Sequence, residues 1–171
     1  MEIRRKELLE APSDSESATT LETPPKDERE LYAFAEKLRR CLETKFRPDT
    51  AAPGFEPATP AAGQCAAVAT ILNQLLGGDL VSARVQGHSH WFNQIRIGGE
   101  NVEVDLTGDQ FGRPPVQVAI PWSLYPGARL RYFSELNAET ISRATALAAS
   151  ARLTAVEDSL RQLLHRKLRE T

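Results

Sequence analysis

Apolar residues recur at steps of three and four through 28–46, where Leu31, Phe34, Leu38, Cys41 and Leu42 share one stripe. That period predicts an amphipathic helix and places Cys41 on its core-facing side. A second helix is expected from Gln64 or Cys65 to Leu76. Ala66, Ala67, Ala69, Leu72, Leu75 and Leu76 leave it apolar on most sides, which predicts burial, and Gly77-Gly78 ends it. The period then drops to two. "DLVSARV" (79–85), "HWFNQIRI" (90–97) and "NVEVDL" (101–106) read as strands, the last two joined by the hairpin signal "GGE". A fourth strand, "VQVAI" (116–120), follows Pro114-Pro115. Leu130, Tyr132, Phe133 and Leu136 predict a helix around 127–136. From 138 to 170 a single helix is expected, with Leu153, Val156, Leu160, Leu163, Leu164 and Leu168 on one face.

These elements predict an α+β domain: a buried helix packed on a small antiparallel sheet, with flanking helices. The core domain is expected over 28–136 and a helical extension over 137–171. Residues 1–27 include "APSDSESATTLETPPKDE", too poor in apolar groups to offset the entropy of ordering, so a disordered tail is expected there. The four prolines of "RPDTAAPGFEPATPAA" make 47–62 a loop that leads directly into Gly63-Gln64-Cys65. The C-terminal apolar face can pack on its own domain or serve a homo-oligomer.

Charge narrows the partners. A net charge of −2 offers little to a phosphate backbone, so no nucleic acid is expected. No apolar run approaches the ~18 residues of a membrane span. With only two cysteines, Cys41 and Cys65, and a charged N-terminus, the expectation is a cytoplasmic protein with free thiols.

Cys65 starts a predicted helix, where unpaired N–H groups and the helix dipole favour a thiolate. Gly63 nearby lets a substrate approach the backbone. His90 opens a strand, and Asp105 lies near the end of the next strand of the same hairpin. Counting outward from the turn at 98–100 puts His90 opposite residues near 107–109, with Asp105 diagonal to it or one step away. A nucleophile, a base and a group that orients the base are the parts of a catalytic triad. Gln64 is a candidate oxyanion donor, beside the Cys65 backbone N–H. Trp91 and Asn93 are candidates to line the substrate cleft or to fix the histidine strand. Bland alternatives stand beside each role: Cys65 in an alanine-rich core, His90 as a structural histidine, Asp105 capping the following turn. His88 and His90 are also spaced as a strand pair of zinc ligands, but no second cysteine is near and no metal or other cofactor is expected.

The blocks "GQCAAVATILNQLLGGDL", "SHWFNQI" and "VEVDLTGDQF" resemble the YunG-like family of small bacterial proteins, in order and in spacing, over roughly residues 30–135. The arrangement is also similar to papain-like and transglutaminase-like cysteine enzymes. The resemblance implies a core of that kind, with Cys65 as nucleophile, His90 as base and Asp105 as orienter. The expected function is a thiol hydrolase or acyl transferase acting on an amide, ester or isopeptide bond of a small-molecule or peptide substrate. The rival is a catalytically idle module that binds a peptide or ligand in the same cleft.

Overall fold

The Asp27 carboxylate accepts the Glu30 backbone N–H at 2.7 Å and so starts the first helix, α1 (Glu28–Glu43). In this computed structural model, residue 21 and residues 23–54 and 59–170 are described. The tail expected at 1–27 therefore falls largely outside the described residues, although Leu21 packs against the core. Beyond α1 lie α2 (Cys65–Leu76), α3 (Ala138–Ser150) and α4 (Thr154–Arg169), with strands β1 (Asp79–Val85), β2 (His88–Ile97), β3 (Glu100–Asp105), β4 (Gln117–Ala119) and β5 (Arg129–Arg131). The strands form one antiparallel sheet in the order β4-β3-β2-β1-β5. The fold class is α+β, as the pattern predicts.

Gly98 and Gly99 both take positive φ, which a two-residue β2–β3 turn demands and an L side chain resists. Gln86 and Gly87 turn β1 into β2 in the same way. The β2 strand thus begins at His88, two residues before the expected start. At Gly78 an added Cβ would lie 2.4 Å from the Gln94 carbonyl oxygen, so only glycine lets α2 turn this closely onto β2.

Alternation along the strands gives the sheet two different faces. Leu80, Ile95, Val102 and Val104 join Leu31, Leu38, Leu72, Ile141 and Leu160 in the main core, under the helices. Val81, Ala83, Phe92 and Tyr125 form a second cluster on the opposite face, beneath the chain that crosses from β4 to β5. Cys41 is half-buried, with its thiol 3.8 Å from the Ala151 carbonyl oxygen.

Two elements depart from the sequence expectation. The helix expected at 127–136 is instead β5 followed by a short 3-10 turn, Phe133–Glu135. Its apolar spacing is ambiguous, and the open edge of β1 decides, pairing Leu80 with Arg131, Val81 with Leu130 and Ser82 with Arg129. The single C-terminal helix is two helices. Arg152 adopts φ +59, Leu153 N–H reaches the Ala148 carbonyl and Arg152 N–H reaches Ala149. This is a Schellman stop with arginine where glycine is usual, so the sequence carries no overt break. The reversal packs α4 on α3 and buries Val156 and Leu160 in the chain's own core.

Leu160 is fully buried in that core. Leu160→Ala is therefore expected to cost about 3 kcal/mol in urea unfolding. A loss under about 0.5 kcal/mol, the scale of surface changes, would mean that α4 does not share the domain core.

Candidate functional site

The β2 strand outruns β3 at one end. Asn93 pairs with Val104, so His90 lies beyond Asp105, the last residue of β3. The diagonal separation expected from the hairpin count is what brings the two side chains together. His90 Nε2–H donates to Asp105 Oδ2 at 2.8 Å, with both residues buried. Three aromatic rings enclose the imidazole. Phe92 stacks at 5.8 Å, while Phe111 and Tyr125 make T-shaped contacts at 5.0 and 4.9 Å between centroids.

Cys65 is the first residue of α2, as expected. Its thiol sits beside His90 and 3.8 Å from the Ser89 carbonyl oxygen. Nε2 belongs to Asp105, which leaves Nδ1 as the ring nitrogen for the thiol; Nδ1 makes no hydrogen bond. Burial works against charge on the imidazole, but the Asp105 carboxylate and then the Cys65 sulfur outweigh it. The His90 pKa is pushed up to about 9, and the ring is an imidazolium through neutral pH.

Asp105 gathers more than the histidine. Oδ1 accepts the Thr107 N–H at 3.0 Å and its hydroxyl at 3.4 Å. Oδ2 also accepts the Tyr125 hydroxyl in a short hydrogen bond, and Gln117 Nε2 at 3.5 Å. The turn-capping role weighed for Asp105 and the histidine contact therefore coexist. Tyr125 is held up as a phenol, first by burial and then by the adjacent carboxylate. Arg113 lies over its ring at 4.2 Å. The segment carrying Tyr125 is fixed by Glu103, whose Oε1 accepts the Ser123 N–H at 3.0 Å and the Leu124 N–H at 3.4 Å. Burial raises the Glu103 pKa, and these backbone donors oppose the rise.

The remaining candidates also make structural contacts. Gln64 donates from Nε2 to the Arg47 carbonyl at 3.0 Å and accepts from Thr50 at 2.8 Å, clasping the loop before α2. Gly63 serves a close approach by this chain: a Cβ there would stand 3.1 Å from Ala51 Cβ and from the Ala52 carbonyl oxygen. Asn93 is buried, and its amide donates to the Ala69 carbonyl at 2.9 Å, tying α2 to β2. Trp91 is half-buried, with the Arg131 guanidinium 4.6 Å above its ring. His88 is exposed, and among the described residues no group of three or more His, Cys, Asp or Glu side chains is placed to hold a metal ion.

The family model described as YunG protein matches residues 35–136. The chain belongs to the YunG family. The match takes in Cys65, His90, Asp105 and Tyr125 and stops before α3 and α4, so in this YunG-family chain the C-terminal helical hairpin lies outside the matched region while sharing its core. Comparison with curated proteins and with solved structures found no match. No helix among the described residues is long and apolar enough to cross a membrane.

Two measurements probe this arrangement. A raised histidine pKa stabilises the fold in full below the unfolded value of about 6.5 and loses that contribution as pH rises through the folded value. The stability advantage of the native chain over His90→Gln should thus shrink between pH 6.5 and about 9. A difference that stays flat across that window contradicts the charged imidazole. Separately, Tyr125→Phe removes a donor to a buried carboxylate and should cost about 2 kcal/mol in urea unfolding. A cost near zero would mean that the phenol is dispensable to Asp105.

Proposed function

We propose that this protein is a cysteine-dependent hydrolase or acyl transferase, acting on an amide, ester or isopeptide bond of a small-molecule or peptide substrate. One observation carries the reading: a buried imidazole, anchored at Nε2 by Asp105, stands beside a thiol at the first position of a helix. A histidine neighbour and a helix N-terminus are the setting in which reactive cysteines are found. The order of roles agrees with the papain-like and transglutaminase-like resemblance of the motifs.

In the proposed chemistry the Cys65 sulfur attacks the carbonyl carbon. A C–S bond forms and the carbonyl electrons move to oxygen. As the tetrahedral intermediate collapses, His90 gives its Nδ1 proton to the departing amine or alcohol, leaving a thioester and a neutral imidazole. Water or an acceptor amine then attacks the thioester, His90 takes up its proton, and the thiolate leaves. Asp105 keeps the proton on Nε2 throughout, so Nδ1 is the nitrogen that exchanges. The Cys65 backbone N–H is a candidate donor to the developing oxyanion. Gln64 retains one amide N–H beyond the bond to Arg47 for the same purpose.

Occlusion favours a second reading. Cys65, His90 and Asp105 are only 4%, 0% and 1% exposed, which suits an idle module in which the three hold the sheet end together beneath a ligand surface.

Alkylation with iodoacetamide separates the two. The enzyme reading expects Cys65 to react rapidly at pH 6–7 and His90→Ala to slow it about tenfold or more. Cys41, whose pKa burial pushes up, should be spared. Preferential labelling of Cys41 in the folded protein, or a rate at Cys65 indifferent to His90, contradicts catalysis and leaves the binding module.

A further inference from the structure

The helix-side face of the sheet continues past α2 onto β1 and β5, and there it is basic. Leu80, Ser82 and Arg84 alternate onto the face whose Leu80 enters the main core. Directly paired residues of antiparallel strands point to the same side, so Arg129, opposite Ser82, and Arg131, opposite Leu80, join them. Trp91, opposite Ser82 on the other side, completes the strip. The contacts agree with this placement, since Arg131 Nη1 donates to the Ser82 hydroxyl at 3.0 Å and stacks on Trp91.

This strip begins next to the thiol. Ser89, whose carbonyl oxygen is 3.8 Å from Cys65 Sγ, pairs with Arg84 on the neighbouring strand. The Arg84 guanidinium reaches the Gly87 carbonyl at 3.0 Å, which keeps it at the same end of the hairpin as Ser89. Arg84 and Arg129 are exposed, and among the described residues neither has a carboxylate within ion-pair distance. Glu135 is bound to Arg131 at 3.1 Å and is the acid near Arg129. The α2 helix beside the strip carries no charged residue from Cys65 to Leu76. Arg84 and Arg129 are thus two exposed guanidinium groups without a carboxylate partner among the described residues, on the strip that holds the ion-paired Arg131.

We infer that this strip is an anion subsite, and that the acyl substrate carries a carboxylate which Arg84 and Arg129 receive as Cys65 attacks. Guanidinium suits the task, because its planar fork matches a carboxylate and it stays charged at every working pH. The inference rests on the proposed role of Cys65, whose substrate class it narrows to carboxylate-bearing acyl compounds.

Two alkylating reagents of nearly equal size test it on the full chain. Iodoacetate carries the carboxylate and iodoacetamide does not; with each, sulfur forms a bond to carbon as iodide leaves. The variant R84Q/R129Q is expected to lower the iodoacetate rate at Cys65 about threefold at low ionic strength, with the iodoacetamide rate unchanged. Each single variant should show part of the loss, and salt should narrow the difference. The iodoacetamide rate reports whether the site itself is intact in every variant. An iodoacetate-to-iodoacetamide ratio that is the same in native and variant proteins overturns the subsite while leaving the nucleophile standing. If Cys65 accepts neither reagent, the enzyme reading fails and the subsite fails with it.

Discussion

A buried carboxylate is tolerated only when donors surround it, and Asp105 is surrounded from four directions. His90 comes from β2, Thr107 from the turn that follows, Gln117 from β4 and Tyr125 from the segment crossing the second face. Each of those elements has to arrive at the same end of the sheet for the charge to be accommodated. The single group therefore ties register, turn and crossing segment together, and it commits His90 Nε2 to the carboxylate while leaving Nδ1 as the remaining nitrogen.

A second lock sets the turn beyond Asp105. Arg39, buried on α1, forms two 2.7 Å hydrogen bonds to the two oxygens of Asp109 and a third, also 2.7 Å, to the Leu106 carbonyl. The chain then passes through Gly108, where an added Cβ would lie 2.6 Å from Gln117 Nε2 and from the Pro114 carbonyl oxygen. Phe111, at the end of this turn, meets the imidazole in a T-shaped contact. The helix layer thus positions an aromatic wall of the site through an ion pair that lies outside it, and the site is closed on the second face by Phe92 and Tyr125.

Local periodicity made α1, α2 and the β1–β3 meander legible, because each is specified by residues within a few positions of one another. The hairpin count also reached the His90–Asp105 diagonal, since two glycines fix the register. Beyond that range the signals fail for identifiable reasons. The β5 strand exists because β1 has a free edge, a fact about residues some fifty positions away. The stop at Arg152 uses a residue that ordinarily continues a helix. Tyr125 and Gln117 meet Asp105 across turns built from proline and glycine, so neither shows a spacing that points to the carboxylate. Gln64 reads from the sequence as an oxyanion donor and Asn93 as a cleft residue or a brace for the histidine strand, and in the structure their amides hold the backbone carbonyls of Arg47 and Ala69. Sequence proximity to a nucleophile does not distinguish a group that faces a substrate from one that anchors the helix carrying the nucleophile.

The central claim is that Asp105 holds His90 as an imidazolium, bonded through Nε2, beside the Cys65 thiol. Nitrogen-15 NMR of the His90 ring reads this directly. The account predicts both ring nitrogens protonated at pH 7.5 and a midpoint near 9, with Nε2–H shifted by its bond to the carboxylate. A neutral ring at pH 7.5, titrating at the ordinary histidine value of about 6.5, would contradict it.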